Sequence, residues 1–104
     1  MPPPAIEAIH RDVTSRITYQ HYAKTDFREI TGKGQGNCSV IAYNMFLEAK
    51  REGYAPIIHT CLTPGYEGHQ YTEVNGWALT IRLNKVIPMA QVNCVDYRKP
   101  YVGD

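Results

Sequence analysis

The chain predicts an α+β fold, with helices first and then a small antiparallel sheet packed on the second helix. Two helical stripes and a change of period carry that expectation. Ile6, Ile9, Val13 and Ile17 recur at three- and four-residue intervals, and Cys38, Ile41, Ala42, Met45, Phe46 and Ala49 form a second stripe at the same spacing. Beyond Ala55, short runs rich in β-branched and aromatic residues, separated by turn sequences, replace the helical pattern.

Taken in order, the first stripe makes a helix of about three turns with one apolar face. The stretch "ITYQHYAKTDFREITGKGQG" mixes polar residues, aromatics and turn formers and reads as a surface segment. The second helix is expected over residues 38–52. Asn37 serves as its N-cap, Lys50 and Arg51 suit the negative end of its dipole, and Gly53 stops it. "APIIHTCLT" is a strand ended by the turn "PGYEG". "HQYTEV" and "WALTIRLN" flank Asn75-Gly76, a strong hairpin signal. In the second of these, Trp77, Leu79, Ile81 and Leu83 alternate with Ala78, Thr80, Arg82 and Asn84, so one face is apolar. A further strand is expected between Gln91 and Tyr97.

With 104 residues the chain forms one domain, 1–104, with a single modest core. Eleven basic residues against ten acidic ones leave a net charge of +1 with no block of like charge, which excludes a dedicated nucleic-acid binder. No apolar stretch has the length of a membrane span, and the start "MPPPAIEAIHRDV" lacks the pattern of a signal peptide. The expected setting is therefore cytoplasmic, with Cys38, Cys61 and Cys94 as reduced thiols. The eight tyrosines are expected to cap the core with their hydroxyls in water. His10 and His21 read as solvated positions.

The segment "GKGQGNCSV" concentrates the chemistry. With Asn37 as cap, Cys38 is the first helical residue, and the positive end of the helix dipole there favours a thiolate, the competent nucleophile. A base must manage its proton, and among four histidines His69 is best placed, because it opens the strand after "PGYEG". A two-residue turn at Asn75-Gly76 sets His69 opposite Arg82, with Asn84 diagonally across on the same face. An amide bonded to one imidazole nitrogen fixes the tautomer that leaves the other free for sulfur. The Cys38 backbone N–H and the Gln35 side chain are candidate oxyanion donors, and Tyr19 or Tyr22 a candidate cleft wall. "GKGQG" also admits an anion-binding nest, without the ending of a P-loop. His59 and Cys61 share a strand face and could hold a metal with His69 or Cys94, but no paired ligand spacing supports one, so no metal and no cofactor are expected.

The order "ITY…GKGQGNCSVIAYNMFLEAKREGY…EGHQYTEVNGWALTIRLNKV" resembles the bacterial transglutaminase-like cysteine proteinases, a family of papain-like thiol enzymes. The matching features lie at Ile17–Tyr19, Gly34–Cys38, Gly53, Gly68–His69 and Leu83–Asn84, and the resemblance covers about two-thirds of the chain. It implies a papain-like, transglutaminase-like fold with Cys38 as nucleophile, His69 as base and Asn84 as orienter, acting on amides of a protein or peptide substrate. Asn84 stands where the family usually has Asp. The acids flanking the family's cysteine, through which some members bind calcium, are replaced by Asn37, Ser39 and Val40. The expected activity is amide hydrolysis or acyl transfer through a Cys38 thioester. The alternative is a catalytically inactive scaffold that acts as a protein-interaction module or inhibitor, and an anion-binding module at residues 32–38 ranks third.

Overall fold

The computed structural model describes residues 1–103, and Asp104 lies outside the described residues. The chain forms α1 (Pro4–Arg16), β1 (Ile17–Tyr19), β2 (Gly34–Gly36), α2 (Cys38–Arg51), β3 (Ile57–Leu62), β4 (Gly68–Val74), β5 (Trp77–Thr80), β6 (Lys85–Pro88) and β7 (Val95–Asp96), with a 3-10 turn at Met89–Gln91. It is an α+β arrangement of two helices on a five-stranded antiparallel sheet, as expected.

Proline at the first turn of α1 costs no hydrogen bond, since those N–H groups have no helical partner. Its stripe of Ile6, Ile9 and Val13 is completely buried, against Val40, Ile41 and Met45 of α2 and Val74 and Leu79 of the sheet. The Asn37 side chain accepts from the N–H groups of Ser39 and Val40 at 3.1 and 3.2 Å, which fixes where α2 begins. Gly53 ends it with a φ of 93°, a conformation that costs glycine least.

The sheet order is β6-β5-β4-β3-β7. Asn75 and Gly76 both take positive φ, 49° and 83°, and the turn pairs Val74 with Trp77 and Thr72 with Leu79, the register the sequence implies. Both faces of the sheet are covered. Ile58 and Thr72 face α2, where the Thr72 hydroxyl donates to the Ala42 carbonyl at 2.6 Å. Cys61, Tyr71, Ala78 and Ile87 form a second core on the far face, closed by Met89, Val92 and Cys94.

Several expectations require correction. The strand expected to run to Asn84 stops at Thr80, whose hydroxyl accepts the Leu83 N–H at 3.0 Å, and Asn84 closes the turn with a φ of 51°. The chain then doubles back as β6, pairing Thr80 with Lys85, a strand the sequence reading missed. The segment 17–36, expected as irregular surface chain, contains two short strands, β1 and β2, paired in parallel. Its glycines answer to local geometry: Gly32 takes a φ of 77°, and Gly34 and Gly36 lie close to the side chains of Ile30 and Val40. A Cβ on Gly36 would fall 2.4 Å from that of Val40, so glycine is required where β2 turns into α2. Cys61 and Cys94 form a disulfide, so Cys38 alone is a free thiol. His10 is buried, with Nε2 donating to the Thr80 carbonyl at 2.8 Å.

Candidate functional site

Cys38 occupies the first position of α2, where helical N–H groups have no helical partner. The cap beneath it is more than a local device. Asn37 Nδ2 donates to the Tyr22 carbonyl at 2.9 Å and to the Lys24 carbonyl at 2.7 Å, so one buried amide both starts the helix and pins the segment 22–24 beside it. Arg28 adds a second tie, with Nη2 donating to the Gln35 carbonyl at 2.9 Å.

The opposite wall comes from the sheet. Because β5 pairs with β4 only over Thr72–Val74, the start of β4 has no β5 partner on that side. A cleft of about 680 Å³ opens there between the helix start, the pinned segment and the turn after β5. Cys38 and Ser39, Tyr19 to Thr25 except Gln20, Glu67 to Gln70, Ile81, Arg82, Asn84 and Tyr97 contribute to its lining. Gln70 is locked into it. The Ser39 hydroxyl donates to Gln70 Oε1, and Gln70 Nε2 donates to Thr60 Oγ1 at 2.9 Å.

Burial pushes the Cys38 thiol up from its ordinary value, although the backbone N–H groups of Gln70, Ser39 and Cys38 itself pull the other way. The dipole effect expected from the sequence is thus outweighed by desolvation. Burial likewise pushes His69 down to about 4, helped by the Arg82 guanidinium and opposed by Glu67. Arg82 and Glu67 form an ion pair at the cleft edge. The resting cleft therefore holds a neutral thiol and a neutral imidazole. Such an imidazole can accept a proton, but the two groups are not poised as a thiolate–imidazolium pair.

Cys38, His69, Asn84 and Tyr19 all reach this one cleft. Among the described residues no hydrogen bond joins Cys38 to His69 or His69 to Asn84. The His69 ring instead lies against Tyr71, with centroids 5.9 Å apart. Tyr22 also lines the cleft, and His21, exposed as expected, contacts the Tyr19 hydroxyl through Nδ1 at 3.3 Å. Gln35 is not brought to the cleft: it pairs with Thr18 in the β1–β2 ladder, with its side chain exposed. Gln70, Arg82 and Glu67 were not singled out as site residues by the sequence reading. Gln70 had a signal, since it follows His69 and so projects from the other strand face, toward the helix that carries Cys38.

His59 and Cys61 do not join a metal centre. Among the described residues no group of three or more His, Cys, Asp or Glu side chains is arranged to hold an ion. Nor is any helix among them long and apolar enough to cross a membrane. The chain matches no family model and no curated protein.

Proposed function

We propose that the cleft is a site of thiol-dependent acyl transfer from an amide, with Cys38 as nucleophile, in a papain-like, transglutaminase-like domain. The observation that carries this reading is the placement of the one free thiol. Cys38 sits at the head of a helix, within a cleft of peptide-accommodating size that His69 and Asn84 also line. In the proposed step the neutral His69 ring takes the Cys38 proton as sulfur bonds to the substrate carbonyl carbon. The oxyanion is met by the Cys38 backbone N–H, since the N–H groups of Ser39 and Val40 are held by the Asn37 cap. His69 then returns the proton to the departing amine, leaving a thioester. Water or a second amine attacks that thioester with His69 again as base, releasing acid or new amide and restoring the thiol. Asn84 acts as orienter of the ring in this reading. His69 leaves β4 on the face away from α2, so substrate binding must carry its ring around the unpaired start of β4 to the sulfur.

The Cys61–Cys94 bridge bears on the setting. Disulfides persist in oxidising compartments, so an oxidising setting replaces the cytoplasmic one in this proposal.

A second reading, an interaction scaffold without turnover, is favoured by the resting chemistry, in which burial raises the thiol and lowers the imidazole. Alkylation by iodoacetamide between pH 5 and pH 10 separates the two, because with the disulfide intact only Cys38 reports. Turnover chemistry is expected to give labelling well below the thiol's own titration, slowed about 100-fold or more by His69→Ala. Identical profiles for the two proteins, following one ordinary thiol titration, would reject the enzyme reading in favour of the scaffold.

A further inference from the structure

On the far face of the sheet, one imidazole ties three strands together. His59 in β3 places Nε2 2.7 Å from Glu73 Oε1 of β4, and Nδ1 2.7 Å from Asp96 Oδ2 of β7. Its ring stacks on Tyr71, with centroids 5.0 Å apart and planes 19° from parallel. Carboxylates only accept, so satisfying both contacts requires an N–H on each ring nitrogen, which is the imidazolium. One positive charge then sits between two negative ones.

The strand held by this contact is short. β7 comprises Val95 and Asp96, pairs only with β3, and is exposed. The residue after it, Tyr97, donates its N–H to the Thr60 carbonyl at 3.1 Å and lines the Cys38 cleft. The disulfide at Cys94 anchors the chain just before β7, so the span that can release begins after that bridge.

We propose that His59 is a pH-sensitive latch whose protonated ring holds β7, and with it the Tyr97 wall of the cleft, against β3 and β4. When the ring loses its second proton, one nitrogen becomes an acceptor facing a carboxylate. That contact changes from attraction to repulsion. Glu73 is fixed in a central strand paired on both sides, whereas Asp96 is on an edge strand of two residues, so Asp96 is the partner that leaves. The titratable groups facing His59 are Glu73 and Tyr71 from β4 and Asp96 from β7. The two carboxylates raise the ring's pKa against the opposing effect of burial. A raised value means that the tie is complete below about 6.5 and is lost as pH rises through the folded pKa. Tyr71, pushed up to about 12 by burial and by Asp96 and Glu73, stays neutral throughout the relevant range. The device is independent of turnover at Cys38.

Amide hydrogen exchange on the intact oxidised protein tests it, with rates converted to protection factors so that the intrinsic pH dependence cancels. The Tyr97 amide is expected to lose at least about tenfold protection between pH 6 and pH 9, relative to the Leu79 amide, which reports the β4–β5 core. His59→Gln is expected to leave Tyr97 weakly protected at both pH values. Should that variant fail to fold, Asp96→Asn, which removes only the edge carboxylate, is expected to show the same flat profile. Constant Tyr97 protection in the unaltered protein would overturn the latch. So would a pH-dependent loss that persists in either variant, or a loss shared equally by Leu79.

Discussion

At the scale of single residues, Asn37 shows why one amide cannot be replaced by its acid. As a helix cap, Asp is about as good as Asn, because the cap uses only an accepting oxygen. Here the other half of the side chain matters equally: Nδ2 donates to the carbonyls of Tyr22 and Lys24 at 2.9 and 2.7 Å. A carboxylate would keep the bonds to Ser39 and Val40 but would set a buried negative oxygen against two carbonyl oxygens. Asn37→Asp is therefore expected to destabilise the protein by about 2–4 kcal/mol, since two donors are lost and a buried charge faces acceptors. Chemical denaturation at pH 7 measures it. Asn37→Ser, which keeps a cap without the clamp, should fall between the two. If Asn37→Asp were as stable as the parent, the clamp on the cleft-wall segment would be energetically empty.

At the scale of elements, the approach of β2 to α2 is set by what a side chain would meet. A Cβ on Gly36 would lie 2.4 Å from Val40 Cβ and 2.5 Å from its Cγ1, at the start of a helix that cannot retreat. A Cβ on Gly34 would meet Ile30 at 2.9 Å through Cγ2 and 3.1 Å through Cδ1, a milder overlap that a change of Ile30 χ1 or a small shift relieves. Gly36→Ala is expected to cost about 2–3 kcal/mol, the upper range for overpacking, and Gly34→Ala distinctly less. Thermal denaturation of the two variants reads the ordering, and the reverse order would show that β2 rather than the helix start yields. These glycines illustrate what the sequence conceals. Alternate glycines resemble a flexible loop, and nothing local reveals that Val40 is pressed against one of them. α2 was legible because a stripe, a cap and a stop agreed there, and α1 from its apolar stripe alone. The end of β5 was not, because Ile81 and Leu83 continue the apolar alternation after the Thr80 hydroxyl and the positive φ of Asn84 have already turned the chain. Cys38, His69, Asn84 and Tyr19 line one cleft, but not through the expected hairpin register: the β4–β5 ladder ends at Thr72 and Leu79, so His69 does not pair with Arg82 and Asn84 lies in the turn beyond. The bridge between Cys61 and Cys94, 33 residues apart, lacks any spacing signature at all.

At the scale of the whole molecule, the ionisable groups buried on folding determine how stability varies with pH, and they act in opposite directions. His69 is 8% exposed and its pKa falls from 6.5 to about 4, so folding favours its neutral form. A depressed histidine contributes stability that is complete above the unfolded value near 6.5 and is lost as pH falls toward 4. Glu48, pushed up to about 7 by burial and by neighbouring Asp12, works the other way: it favours folding while protonated, and that contribution declines as pH rises from 4.5 through 7. Because the two windows overlap, the pH profile of the parent protein alone would conceal both. The difference between parent and His69→Gln isolates the histidine, since Glu48 is common to both. Between pH 7 and pH 4.5 the parent is expected to lose about 2–3 kcal/mol more than the variant, whatever the fixed cost of the substitution. Urea denaturation at the two pH values gives the four free energies required. Equal losses in the two proteins would mean that His69 titrates as it would in solution, and so that the ring is not held in the buried position on which its role in the cleft depends.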